Sequence, residues 1–360
     1  MAIAVGLFLF TRSVALREHR MEIRLAGIWY NTGERQIGAG AIDEAIDSFR
    51  RAIANDRQNR KYAFALADAL AAGNHDQEAE QTVLRLHELD PANAEINLDL
   101  ARLAAKRGDF PEALHSYENA IYGHWTGTGI DERQREVRVE LVRFLLANQQ
   151  RDRALSELLI LNSDLPEAVT SHVEAGDLFL QAGDPQHGLQ NFREAIKLDP
   201  HNPPALSGAG EASFQLGDYS AAERDLEASR DLGPLPSPAQ QTLSLAQMVL
   251  SADPLARGIG AKERQQRLMA GYQQAFQRMQ DCLTRPSIQM DAPDMHALAT
   301  EAATTRAGIQ GKRIRYDPDL LRYGLDLIYR METTTNIHCG EPMGMDEALL
   351  LIASKRDGRQ

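Results

Sequence analysis

Six segments of this chain repeat one pattern at a fixed interval. In AIDEAIDSFRRAI (41–53), HDQEAEQTVLRLHELDP (75–91) and DFPEALHSYENAI (109–121), Ala45, Ala79 and Ala113 stand 34 residues apart, as do Phe49, Val83 and Tyr117. The phase resumes at RDRALSELLILNSDLP (151–166), DPQHGLQNFREAIKLDP (184–200) and DYSAAERDLEASRDLGP (218–234). There Ala154, Gly188 and Ala222 keep the 34-residue step, with Leu158, Phe192 and Leu226 four residues on. Pro166, Pro200 and Pro234 mark the same phase, as Pro91 does earlier. Only the step from Ala113 to Ala154 departs, at 41 residues, and the excess falls near the Gly-rich GHWTGTG (123–129). A chain holds such a register when each unit is one small piece of structure that buries its apolar face only by stacking on the next. Six units follow, at 26–59, 60–93, 94–127, 135–168, 169–202 and 203–236.

The units are helical. Good helix formers dominate and β-branched runs are almost absent, so the fold class is all-α. With 360 residues, 43% hydrophobic and 25% charged, the chain has the composition of a folded protein with a substantial core. Its net charge of −12 excludes broad binding to a phosphate backbone, which needs a basic stripe. Aromatics at 6% supply no base-stacking platform, so nucleic acid is not an expected partner.

A 34-residue period of two helices resembles the tetratricopeptide repeat (TPR). The first unit shows Trp29, Gly33, Ala45 and Phe49 of that pattern, and the fifth shows Gly176, Phe179, Phe192, Ala195 and Pro200. Gly33, Ala67, Ala101, Gly176 and Gly210 fall where the second helix must approach the first closely, whereas Val142 takes that place in the fourth unit. The resemblance implies a right-handed α-solenoid of about six hairpins, with a concave groove lined by the first helix of each. It also implies protein or peptide partners, no catalysis and no cofactor.

In that register the ninth positions of the first helices read Glu34, Asp68, Arg102, Arg143, Asp177 and Glu211. Sixth positions add Asp99, Glu140 and Glu174, and fifth positions supply Tyr30, Phe64, Leu98, Val139 and Val173. One expectation is an apolar stripe in an acidic trough suited to basic or amphipathic segments, with Arg102 and Arg143 open to one ligand carboxylate. The other is a solvated face whose charges pair between repeats.

MAIAVGLFLFTRSVAL (1–16) is apolar but shorter than the roughly 20 residues a spanning helix requires. Residues 1–20 read either as an amphipathic first helix or as a membrane anchor whose beginning is missing. Arg12, Arg17 and Arg20 would hold their side in the cytoplasm.

The period is lost after the proline cluster PLPSP (234–238), and 237–360 reads as a helical capping region. Helices are expected at 237–253, 261–283, 293–307, 318–332 and 346–355. GIGAK (258–262) and GIQGKR (308–313) lack the spacing of phosphate loops, and the histidines show no metal-ligand pairing. Cys282 and Cys339 are the only cysteines. They leave open a disulfide, two free buried thiols, a zinc site, or a nucleophile at Cys339 activated at the start of the last helix. A disulfide would pin the terminal helix to the long one at Cys282. It would also place the body in an oxidising compartment, such as a bacterial periplasm behind an inner-membrane anchor. The sequence therefore points to a scaffold, with an envelope assembly or chaperone-like factor as the expected role, since its repeats bind and do not catalyse. The alternatives are a thiol enzyme or redox protein using Cys339, and a cytoplasmic regulator.

Overall fold

The computed structural model describes residues 2–285, 288 and 292–355 and is an all-α solenoid. Its contacts gather into two compact units, Met1–Leu161 and Asn162–Gln360. In the first unit the hairpins are formed by α1 (Ala2–Gly38) with α2 (Ile42–Asn55), α3 (Arg60–Ala72) with α4 (Asp76–Leu89), and α5 (Ala94–Arg107) with α6 (Phe110–Tyr122). α7 (Ile130–Ala147) and α8 (Arg151–Asn162) complete the set. The second unit contains α9 (Val169–Ala182), α10 (Pro185–Leu198), α11 (Pro203–Gln215), α12 (Tyr219–Leu232) and α13 (Ser237–Ala252). α14 (Ala261–Leu283), α15 (Pro293–Gln310), a 3₁₀ turn at Lys312–Arg315, α16 (Pro318–Cys339) and α17 (Met345–Lys355) follow.

One backbone device turns every hairpin. Gly40, Asn74, Gly108, Gln149, Gly183 and Gly217 all have positive φ, between 60° and 87°. The residue after each of these closes a bond back to the end of the first helix, as from the Asp109, Asp184 and Asp218 amides to the carbonyls of Ala104, Phe179 and Ser213 at 2.8–2.9 Å. This is a Schellman-type stop, and the aspartates then start the next helix by accepting from the amides of Glu112, His187 and Ala221.

Helix pairs close by setting a ring against a residue with no side chain. A Cβ on Gly33 would lie 2.5 Å from the Phe49 ring, and one on Gly176 would lie 2.7 Å from Phe192. Ala45, Ala79, Ala113, Ala154 and Ala222, the recurring small residues of the second helices, are all fully buried. The longer fourth interval is a built loop. The Trp125 indole donates to the Ala120 carbonyl at 3.0 Å, the Arg133 guanidinium lies 4.8 Å above its ring, and Arg133 also pairs with Glu95 at 2.8 Å.

The proline cluster at 234–238 lies inside the second unit, because Tyr219 and Ala222 share one core with Leu268, Tyr272, Met279, Leu327, Met331 and Leu349. Cys282 and Cys339 are disulfide-bonded there, with Cα atoms 6.0 Å apart. The setting of that bond differs from expectation. Cys339 is the last residue of α16, which runs past residue 332, and it does not stand at the start of the final helix. Thr333 returns its hydroxyl to the Tyr329 carbonyl within this helix, which stops only at Gly340, where φ is +97°. The bond therefore joins α14 to α16. The terminal helix is held by other means: Leu349 packs on Gly271, and Asp346 accepts from Gln274 at 2.9 Å.

Among the described residues no helix is long and apolar enough to cross a membrane. The side chains of residues 1–11 and 13–15, on which an attachment through 1–16 would rest, lie outside those described.

Candidate functional site

Side chains from successive first helices converge in the first unit. Lys61, Phe64 and Asp68 on α3 and Glu95, Leu98, Asp99 and Arg102 on α5 line a cavity of about 410 Å³. Their spacing explains the convergence: residues three and four apart share one helix face, and the 34-residue step sets each face beside the next. Phe64 and Leu98 form the apolar part. Tyr30 adjoins it, its ring 4.5 Å below the Lys61 ammonium and 5.3 Å from the Tyr62 ring.

Electrostatically the site is acidic. Burial pushes the Asp99 carboxyl up to about 7, with Asp68 repelling it, Arg102 opposing the rise, and Glu95 and Glu140 adding to it. Asp68 is raised as well, first by the surrounding protein and then by Glu34 and Glu95, against Arg102. Such carboxylates gain most from a ligand that brings positive charge.

The expectation that Arg102 and Arg143 stand open to one ligand carboxylate needs correction. Arg102 already holds Glu140 in a two-pronged pair, Nε to Oε1 at 2.9 Å and Nη2 to Oε2 at 2.8 Å. The Tyr117 hydroxyl donates to the same Glu140 Oε1 at 2.9 Å. Burial would raise the Glu140 carboxyl, but the Arg102 bonds and charge, the Tyr117 hydroxyl and the Arg143 charge together hold it below its ordinary value. The carboxylate serving these arginines belongs to the chain, because Glu140 arrives from the next repeat one helical turn before Arg143.

Lys61 and Glu95 escaped sequence reasoning, although both occupy the second position of their units and so repeat the same register. Tyr117 escaped it for another reason. It sits on a second helix, where the sequence marks it only as the repeat's counterpart of Phe49 and Val83, yet its hydroxyl reaches across to α7.

In the second unit, Asp177 and Glu211 form a separate acidic pair. Asp177 is raised by burial and then by Glu174, and Glu211 by burial and then by Asp177.

Models of the tetratricopeptide repeat family match residues 30–94, 77–130, 139–203 and 179–247, together more than half of the chain. This chain belongs to the tetratricopeptide repeat family. Proteins of this family are in general non-catalytic interaction scaffolds, and the repeats indicate protein or peptide partners. Among solved structures, the chain is similar to YrrB, described as a TPR protein with an unusual peptide-binding site: 18% identity, TM-score 0.43, covering 53% of this chain and 95% of that one. It is similar also to PilW, a type IV pilus biogenesis factor (15% identity, TM-score 0.45, 61% and 98% covered). A third is a tetratricopeptide repeat protein from Parabacteroides merdae (15% identity, TM-score 0.42, 78% and 99% covered). No curated protein matches the chain.

Proposed function

We propose that this chain is a scaffold whose first unit takes a basic, partly apolar peptide segment of a partner protein between its first helices. The observation that carries the reading is charge left over after internal pairing. Arg102 is consumed by Glu140 and Glu95 by Arg133, which leaves Asp68 and Asp99 beside Phe64 and Leu98 with Lys61 as the remaining cation of the cavity. A Lys or Arg side chain would lay its stem on Phe64 and Leu98 and its charge between the carboxylates. The net charge of −12 would speed the encounter.

The test is fluorescence anisotropy with a labelled Lys/Leu peptide and a Glu/Leu peptide of equal length. The Lys/Leu peptide binds the chain, and Asp68→Asn with Asp99→Asn weakens that binding roughly tenfold or more, the loss of about 1.4 kcal/mol or more. Equal binding by the double variant sinks the proposal.

The body is proposed to face an oxidising compartment, behind an attachment through residues 1–16, as an envelope assembly factor. The Cys282–Cys339 bond supports this, since such bonds persist where thiols are not kept reduced. The same bond removes the thiol that an enzyme built on Cys339 would use.

A further inference from the structure

On a different face of the first unit lies a cleft of about 690 Å³ between the second helices α2 and α4, with α3 beneath. Its floor is apolar: Leu66 and Leu86 are buried, and Leu89 at the mouth is 65% exposed. Its rim is cationic, with four arginines and one glutamate among the lining residues of a chain that is net acidic.

Two of those arginines are neutralised within the protein. Arg50 pairs with Glu78 of the next repeat at 2.6 Å, and Arg60 pairs with Asp90 within its own repeat at 3.2 Å. The other two are not. Arg57 follows α2 and Arg85 belongs to α4, both are exposed, and among the described residues neither has a carboxylate within ion-pair distance; Arg85 only returns its Nε to the Gln81 carbonyl at 3.2 Å. The cleft thus offers an apolar trough with an unsatisfied cation on each of two elements.

We infer that this cleft is a second docking site, and that its occupant is an acidic amphipathic helix of a partner protein. The charge pattern selects that occupant. A helix with an apolar stripe flanked on both sides by Asp and Glu meets Leu89 and the floor with its stripe, and Arg57 and Arg85 with its flanks. Guanidinium pairs with carboxylate more favourably where an apolar floor excludes water. The first unit then takes ligands of opposite charge at two separate places, a basic segment between its first helices and an acidic helix between its second helices.

The probe is a fluorescein-labelled helical peptide with leucines at i, i+3, i+4 and i+7 and glutamates elsewhere, titrated with the full chain by anisotropy. Saturable binding is expected, falling roughly tenfold or more for Arg57→Glu with Arg85→Glu, since one lost charge pair of about 1.4 kcal/mol is a factor of ten. Asp68→Asn with Asp99→Asn leaves this binding unchanged, which separates the cleft from the acidic cavity. A lysine version of the peptide gains affinity for the charge-reversed cleft. Both arginines are exposed, so the variant should keep the parent's circular dichroism and melting temperature, and a variant that melts early is replaced by Arg57→Gln with Arg85→Gln. The inference is overturned if the peptide shows no saturable binding or binds the reversed variant equally well. It is overturned too if the two arginines instead govern co-sedimentation with phosphatidylglycerol vesicles, or concentration-dependent self-association, while the peptide fails to compete.

Discussion

Asp99 shows how much one residue depends on its neighbours. Its number in the repeat marks it as a groove acid, but its chemistry comes from Asp68, Glu95 and Glu140 around it and from the burial that lifts its carboxyl to about 7. A carboxyl with a raised folded pKa binds a proton more tightly in the folded than in the unfolded state. Its contribution to stability is therefore full below the ordinary carboxylate range and is lost as pH rises through about 7. Asp99→Asn removes that loss. The variant is expected to melt a few degrees higher than the parent at pH 8 and equally at pH 4, with a flatter profile between. Melting followed by circular dichroism from pH 4 to pH 8 checks this, and a parallel shift at every pH would show that the carboxyl is not perturbed. Ligand binding should move in the opposite direction, because the charge that attracts a basic peptide is the one that weakens the fold.

At the scale of the element, the turns decide how well each hairpin closes. Four of the six positive-φ positions are glycine, and the exceptions are Asn74 and Gln149. The left-handed conformation costs a residue with a Cβ about 1–2 kcal/mol, partly offset by the greater freedom glycine loses on folding. Gln149→Gly is expected to stabilise the chain by about 1 kcal/mol, read as a shift in urea midpoint with unchanged slope. Asn74→Gly should gain nothing, since asparagine tolerates this conformation and the Asn74 side-chain Oδ1 accepts from the Lys106 ammonium at 2.9 Å. A loss at Gln149 would mean that its side chain supports the turn. These turns were legible in the sequence without being read: positions 40, 74, 108, 149, 183 and 217 keep the same step as the alanines.

For the whole molecule, the second unit merges its last repeat hairpin with the C-terminal helices in one core, and the disulfide fastens two helices of that core. Closing 57 residues stabilises a chain by roughly 4 kcal/mol in the chain-entropy model. Reduction, or Cys282→Ser with Cys339→Ser, is expected to lower the second unit's unfolding free energy by about that amount while leaving the first unit's transition in place. Thiol titration in denaturant before and after reductant reads the bond directly. Two thiols without reductant, or an unchanged transition after it, would remove both the staple and the argument for an oxidising compartment.

The sequence by itself determined the all-α class, the number and phase of the hairpins, and the face on which Phe64, Asp68, Asp99 and Arg102 stand. A 34-residue period is enough for that, because each hairpin packs mainly on its neighbours and the same positions recur in the same places. Tertiary structure decided which charges remain available. Arg102 and Glu140 are 38 residues apart and cancel, whereas Arg57 and Arg85 carry the same charge and meet no carboxylate among the described residues. It also decided where Cys339 stands, because the helix through Thr333 continues to Cys339, with Thr335 buried along it and Arg278 donating to the Gly340 carbonyl at its end. Periodicity says which way a side chain faces; only the neighbours, at distances of 3 to 4 Å, say whether its charge is already spent.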